Sequence, residues 1–158
     1  MPKVLITYYS RSGNTEKMAR LIEIGVKNRG VEVDVEPVTA IDPEKLLEYD
    51  GIIIGSPTYY GSMAWEVKKL LDESVKYHGR LDGKVGGAFS SAANIGGGNE
   101  TTVCDILNAM LIHGMIIQGD PQGDHYGRIS INAPDERVEK QCIRMGERIA
   151  ALVAKLAI

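Results

Sequence analysis

Residues 3–30 read KVLITYYSRSGNTEKMARLIEIGVKNRG, and the fold turns on how this stretch is parsed. The short apolar run from Val4 to Tyr8 predicts a strand. Met18, Leu21, Ile22 and Val26 recur at helical spacing, and "NRG" closes the pattern with Gly30 placed to take a left-handed cap. Between strand and helix stands "SRSGNT", residues 10–15, with three hydroxyls and a glycine in six residues. Strand, loop and helix form the first half of a βαβ unit.

The alternation continues along the chain. "VEVDV" (31–35) has one polar face and suits a sheet edge, whereas "GIIIG" (51–55) and "VGGAF" (85–89) are apolar on both faces and suit the middle of a parallel sheet. A short helix is expected from Pro43 to Glu48, because proline is favoured in a first turn. Further helices are expected over "AWEVKKLLDESVKY" (64–77), over "TTVCDILNAMLI" (101–112) ending at His113-Gly114, and from Asp135 onward. The last carries Val138, Cys142, Met145, Ile149, Val153 and Leu156 on one stripe. "MIIQ" (115–118) reads as a short strand, and residues 119–134 as an irregular loop with a brief strand at "RISI". Five strands alternating with five helices predict an α/β protein, a doubly wound three-layer αβα sandwich. With an edge-like second strand, the five-stranded parallel sheet has the order 2-1-3-4-5, and ligands bind beyond the carboxyl ends of its strands.

The 158 residues suit one domain, 1–158, and composition is ordinary for a globular chain, with 44% apolar and 25% charged residues. A net charge of −3 with interspersed signs leaves no basic face for nucleic acid. No apolar run approaches the roughly 18 residues of a membrane span, and no signal-peptide pattern follows Lys3, so a cytoplasmic protein is expected. Cys104 and Cys142 lack metal or redox spacing and read as buried free thiols.

Three loops of unusual composition converge at the ligand end. "SRSGNT" precedes a helix N-terminus, whose unpaired N–H groups and dipole attract an anion. Ser10, Ser12 and Thr15 add hydroxyls, Gly13 lets successive amides turn inward, and Arg11 is the one cation. Without a lysine after the last glycine, or a cysteine, the loop suits a phosphate held and left intact. Ordinary helix capping is the competing explanation of the hydroxyls. "SPTYYG" (56–61) follows the third strand and offers Thr58 for hydrogen bonding and Tyr59 and Tyr60 for stacking on a flat heteroaromatic ring. "SAANIGGGNE" (91–100) combines small residues with a triple glycine that brings backbone close to a ligand edge. Together they suit a flavin mononucleotide.

"SRSGNT" resembles the phosphate loop of the flavodoxin-like superfamily. "GSPTYYGSMAWEVKKLLD", "FSSAANIGGGNE" and "HGM" resemble its tryptophan-repressor-binding-protein branch, the flavin-dependent NAD(P)H:quinone oxidoreductases, in a short form. The resemblance runs the whole chain and implies noncovalent FMN. Its phosphate would meet Ser10, Arg11, Ser12, Gly13, Asn14 and Thr15. Its ring would lie against Pro57, Thr58, Tyr59, Tyr60 and Gly61, with the pyrimidine side along Ser91, Ala92, Ala93, Asn94, Gly96, Gly97 and Gly98. His113 matches a histidine that lies by the flavin in that branch. The resemblance also implies NAD(P)H and a quinone or similar acceptor as partners, and a homo-oligomer, dimer or tetramer. Tyr60, His113 and Tyr126 are then candidates for the substrate-pocket wall. The segments after the second strand and before the last helix, which in that branch help build the tetramer and its pocket, are short here. That departure favours the alternative, a flavodoxin carrying single electrons between redox protein partners. A net charge of −3 with few acids near the loops instead speaks for the oxidoreductase, which is the expected activity. A flavin-binding scaffold without catalysis has no positive support.

Overall fold

The computed structural model describes residues 1–157. Strands β1 (Lys3–Tyr8), β2 (Glu32–Pro37), β3 (Gly51–Tyr59) and β5 (Val85–Ala92) form a parallel sheet in the order β2-β1-β3-β5. The next position is shared by β6 (Ile116–Ile117), beside Val85–Gly86, and β7 (Arg128–Ile131), beside Phe89–Ala92. Counting this split strand as the fifth, the order is the one expected from the sequence. The two-residue β4 (Ser62–Met63) folds back antiparallel on the end of β3.

Four α-helices cover the sheet: α1 (Asn14–Asn28), α2 (Trp65–Glu73), α3 (Asn99–Ile112) and α4 (Glu136–Leu156). The fifth expected helix, Pro43–Glu48, is a 3₁₀ helix capped by Asp42, whose side chain accepts from the Glu44 N–H. Six residues make too few i→i−4 bonds to offset helix nucleation. The helix expected over 64–77 changes to 3₁₀ at Ser74, whose hydroxyl donates to Leu71 O.

Side-chain alternation along β1 divides the core. Val4, Ile6 and Tyr8 face α1 and α4 with Met18, Ile22, Cys142, Met145 and Ile149, while Leu5 faces the opposite layer with Val67, Val103, Ile106 and Met110. Helices α1 and α4 meet backbone to backbone, since a Cβ on Gly25 would lie 2.0 Å from Ile143 O and one on Gly146 2.1 Å from Ile22 O.

The excursion between β6 and β7 is anchored internally. Buried Asp120 accepts from Arg144 Nε at 2.8 Å and Nη2 at 2.9 Å, and pairs with the fully buried Arg128. Arg144 foremost holds the Asp120 carboxyl well below the usual carboxylate range.

Candidate functional site

Parallel β1, β3 and β5 end on the same side, so the loops that follow them are neighbours. Tyr9 N–H donates to Gly55 O at 3.1 Å, tying the first loop to β3. Thr15 and Ser91 share a buried hydroxyl–hydroxyl hydrogen bond of 2.8 Å, tying it to the end of β5.

Within 10–15, Gly13 has φ +97° and stands at the N-cap of α1 without a side-chain cap. The Ser10 hydroxyl oxygen accepts from Gly13 N–H at 3.1 Å and Glu16 N–H at 3.3 Å. Two of the loop's three hydroxyls are therefore engaged inside the protein, one of them as a cap. Ser12 and Arg11 remain exposed, and among the described residues the amides of Ser12, Asn14 and Thr15 meet no acceptor. Three free N–H groups at a helix N-terminus, with no carboxylate hydrogen-bonded to them, form a cradle that fits a phosphate monoester.

The second loop is a two-residue hairpin. Thr58 pairs with Met63 and Tyr59 with Ser62, leaving Tyr60 (φ +49°) and Gly61 (φ +82°) at the tip. Two successive positive φ values define a type I′ turn, which favours Asn, Asp or Gly at its first position. A tyrosine there is strained, and its ring is fully exposed. Tyr59 is partly exposed beside it, and Trp65 projects from the first turn of α2. Such a rim of aromatic faces around a cleft suits stacking on a flat ring. Tyr9 lies under this rim, with its hydroxyl pKa raised, foremost by the charge of Glu66.

The third loop leaves β5 at Ala92 and runs exposed through Ala93, Asn94, Ile95, Gly96 and Gly97 before entering α3 at Gly98 (φ +104°). A Cβ on Gly98 would lie 2.5 Å from the Gly61 Cα, so the second and third loops touch through glycines. The first turn of α3 adds hydroxyls that sequence reasoning missed. Thr101 Oγ1 lies 2.5 Å from Gly61 O and 2.8 Å from Gly98 O. Thr102 Oγ1 is hydrogen-bonded to Thr58 Oγ1 at 3.1 Å and donates to Gly98 O at 2.8 Å. The sequence signal was a threonine pair two residues beyond a glycine run.

Two expected site residues lie elsewhere. His113 closes α3 at the opposite end of the sheet, since the helix starts beside the third loop and its 14 residues run back about 21 Å. There His113 Nε2 is 2.8 Å from the Ser74 hydroxyl, its ring is 6.0 Å from that of His78, and Gly114 O accepts from Gly83 N–H just before β5 begins. Burial and His78 lower its pKa. Tyr126 belongs to the excursion at the sheet edge, near Gly86 and Gly87 in the first half of β5 and Ile117 of β6. Within one chain neither joins the three loops. His78 and His125 are exposed, Cys142 is buried with its thiol pushed up to about 12, and Cys104 is only half-buried.

The fold and these loops define a doubly wound α/β protein with a phosphate cradle, an aromatic rim and a close-approach backbone at its ligand end. A flavodoxin-domain family model matches residues 5–94. A flavodoxin from Clostridium saccharobutylicum is 40% identical, with 98% of this chain and 99% of that protein covered. An NAD(P)H dehydrogenase (quinone) from Sinorhizobium fredii is 33% identical, with 99% and 100% covered. Among solved structures, an archaeal flavodoxin superposes with a TM-score of 0.82 at 29% identity, covering 96% of this chain and 99% of that one. This chain belongs to the flavodoxin family, whose cofactor is FMN.

Proposed function

We propose that this protein is an electron carrier of the flavodoxin type, binding FMN noncovalently in the cleft between the three loops and exchanging electrons with redox protein partners. The observation that carries this choice is the position of His113 and Tyr126. Of the three candidates for a substrate-pocket wall, only Tyr60 stands with the loops, so one chain offers an open, aromatic-rimmed cleft. Length supports the same choice. Alignment with the quinone dehydrogenase extends over 198 positions against 158 residues here, whereas alignment with the flavodoxin extends over 161.

When bound, FMN supplies the redox chemistry, accepting and releasing electrons. The chain's own groups hold and shield it. Amides of Ser12, Asn14 and Thr15, with the Ser12 hydroxyl, would donate to the phosphate, and Arg11 would add positive charge. The partial positive charge of the α1 N-terminus contributes typically 0.3–1 kcal/mol more. Thr58, Tyr59 and Tyr60 would hold the ring from the hairpin, and the backbone from Ala92 to Gly98 from the third loop. No protein acid or base is required for electron transfer.

A second reading, NAD(P)H:quinone oxidoreductase, is favoured by the 33% identity over the whole of a quinone dehydrogenase. Steady-state oxidation of NADH and NADPH by benzoquinone with FMN-loaded protein separates the two. The carrier reading expects slow turnover and two well-separated one-electron midpoint potentials. Turnover of roughly 1 per second or faster, the low end of ordinary enzyme rates, would instead establish the oxidoreductase.

A further inference from the structure

We infer that Thr101 and Thr102 are positioning residues that set the width and orientation of the ring-binding slot between the hairpin 58–62 and the loop 92–98. The inference rests on the flavin reading above and deepens it by assigning a role to residues outside the three loops.

The two walls of the slot come from different strands and share little else. Two backbones meet at Gly98 and Gly61, and the contact leaves no room for a side chain at Gly98. Each threonine hydroxyl lies within hydrogen-bond reach of both walls. Thr101 Oγ1 faces a carbonyl of the hairpin, Gly61 O, and a carbonyl of its own loop, Gly98 O. Thr102 Oγ1 joins Thr58 Oγ1 in the hairpin to the same Gly98 O. Thr102 is wholly buried and Thr101 is exposed, so the pair clamps the slot from beneath and from its rim.

Holding Gly61 O fixes the peptide after a residue pair that is already in a strained conformation. A type I′ tip with tyrosine at its first position is strained and persists only when its surroundings over-determine it. The Thr101 hydroxyl is a constraint of that kind, because it anchors the tip from outside the hairpin ladder. A further clamp lies beside it: the Ser62 hydroxyl donates to Asp105 Oδ2 at 2.5 Å, again from α3 to the hairpin. Helix α3 therefore presents Thr101, Thr102 and Asp105 to the hairpin from one side. Among the described residues no hydrogen bond joins the first loop to Thr101, Thr102 or Asp105, so its phosphate cradle is held by other groups.

That separation supplies the test. Riboflavin carries the ring without the phosphate, so a change confined to the slot weakens FMN and riboflavin by the same factor. Fluorescence-quenching titrations of both ligands are made with the wild type, Thr101→Val and Thr101→Ser. Loss of one neutral hydrogen bond, taken at about 1 kcal/mol, corresponds to a roughly fivefold rise in Kd. The expected result is that rise for both ligands in Thr101→Val, with recovery in Thr101→Ser. Amide exchange at Ser62 in the unliganded protein should be faster in the valine variant. Riboflavin and FMN affinities within twofold of wild type, weakening of FMN alone, or a serine variant as weak as the valine would each overturn the inference. A wild type that binds neither ligand would instead remove the flavin reading, and this inference with it.

Discussion

Tyr60 is the residue where local preference and site geometry conflict most openly. Its φ of +49° belongs to Asn, Asp or Gly, and the hairpin tip gives its ring no packing in return. Tyr60→Asn should therefore stabilise the unliganded protein by about 1 kcal/mol and weaken binding of FMN and riboflavin together. Urea unfolding and ligand titration measure the two effects, and a destabilised variant would contradict the strain argument. His113 poses the opposite case, a titratable ring buried in neutral form. Its folded pKa is lowered by burial and by His78, while in the unfolded chain it titrates near about 6.5. The unfolded state then binds more protons as pH falls through that value, so this group's contribution is complete above about 6.5 and is lost progressively below it. Unfolding free energies at pH 7.5 and 5.5 should show a smaller difference for His113→Gln than for the wild type.

At the scale of elements, the α1 and α4 pair is held by the absence of side chains at Gly25 and Gly146. A methyl group on Gly146 meets Ile22 O at 2.1 Å and Val26 N at 2.8 Å, backbone that cannot swing aside like a side chain. Gly146→Ala should cost about 1–3 kcal/mol, the usual range for overpacking, despite alanine's higher helix propensity. Equilibrium denaturation checks this, and an unchanged or raised midpoint would show that the helices can separate at little cost. The excursion between β6 and β7 follows a different principle. Its residues are polar and rich in glycine, and their fixed course comes from Asp120 gathering Arg128 and Arg144, with Arg148 Nε 3.6 Å away. Hairpin and α3 form a third unit, joined by Thr101, Thr102 and Asp105 and by Met63, which packs on the cluster that holds Val103 and Ile106.

For the whole molecule, binding at the carboxyl ends of β1, β3 and β5 links three loops of distant sequence, so the cofactor should stabilise the folded state globally. At free FMN of 100 times its Kd, linkage contributes about 2.7 kcal/mol. For a chain of this length that raises the melting temperature by roughly 5–10 °C. Calorimetry with FMN, and with inorganic phosphate as a control, measures it; no shift with FMN would contradict the placement. Among the described residues no helix is long and apolar enough to cross a membrane.

Much of this was legible from the residues. The order of strands followed from the polar face of "VEVDV" and the two-sided apolar character of "GIIIG" and "VGGAF", because burial on both faces dictates composition. "SRSGNT" likewise announced an anion cradle through its glycine and the helix after it. What it could not disclose was that Ser10 and Thr15 spend their hydroxyls on Gly13, Glu16 and Ser91. Those partners include a residue 76 positions away, fixed only when the strands align. His113 was misplaced for a related reason. A helix returns its last residue to the end of the sheet opposite its first, and resemblance at "HGM" says nothing of that direction within one chain. Local periodicity and turn chemistry thus determined the elements, their order and the free amides that open α1. Tertiary structure alone decided which side chains reach the slot, because hydrogen-bond partners between loops depend on distances that exist only after the sheet has assembled.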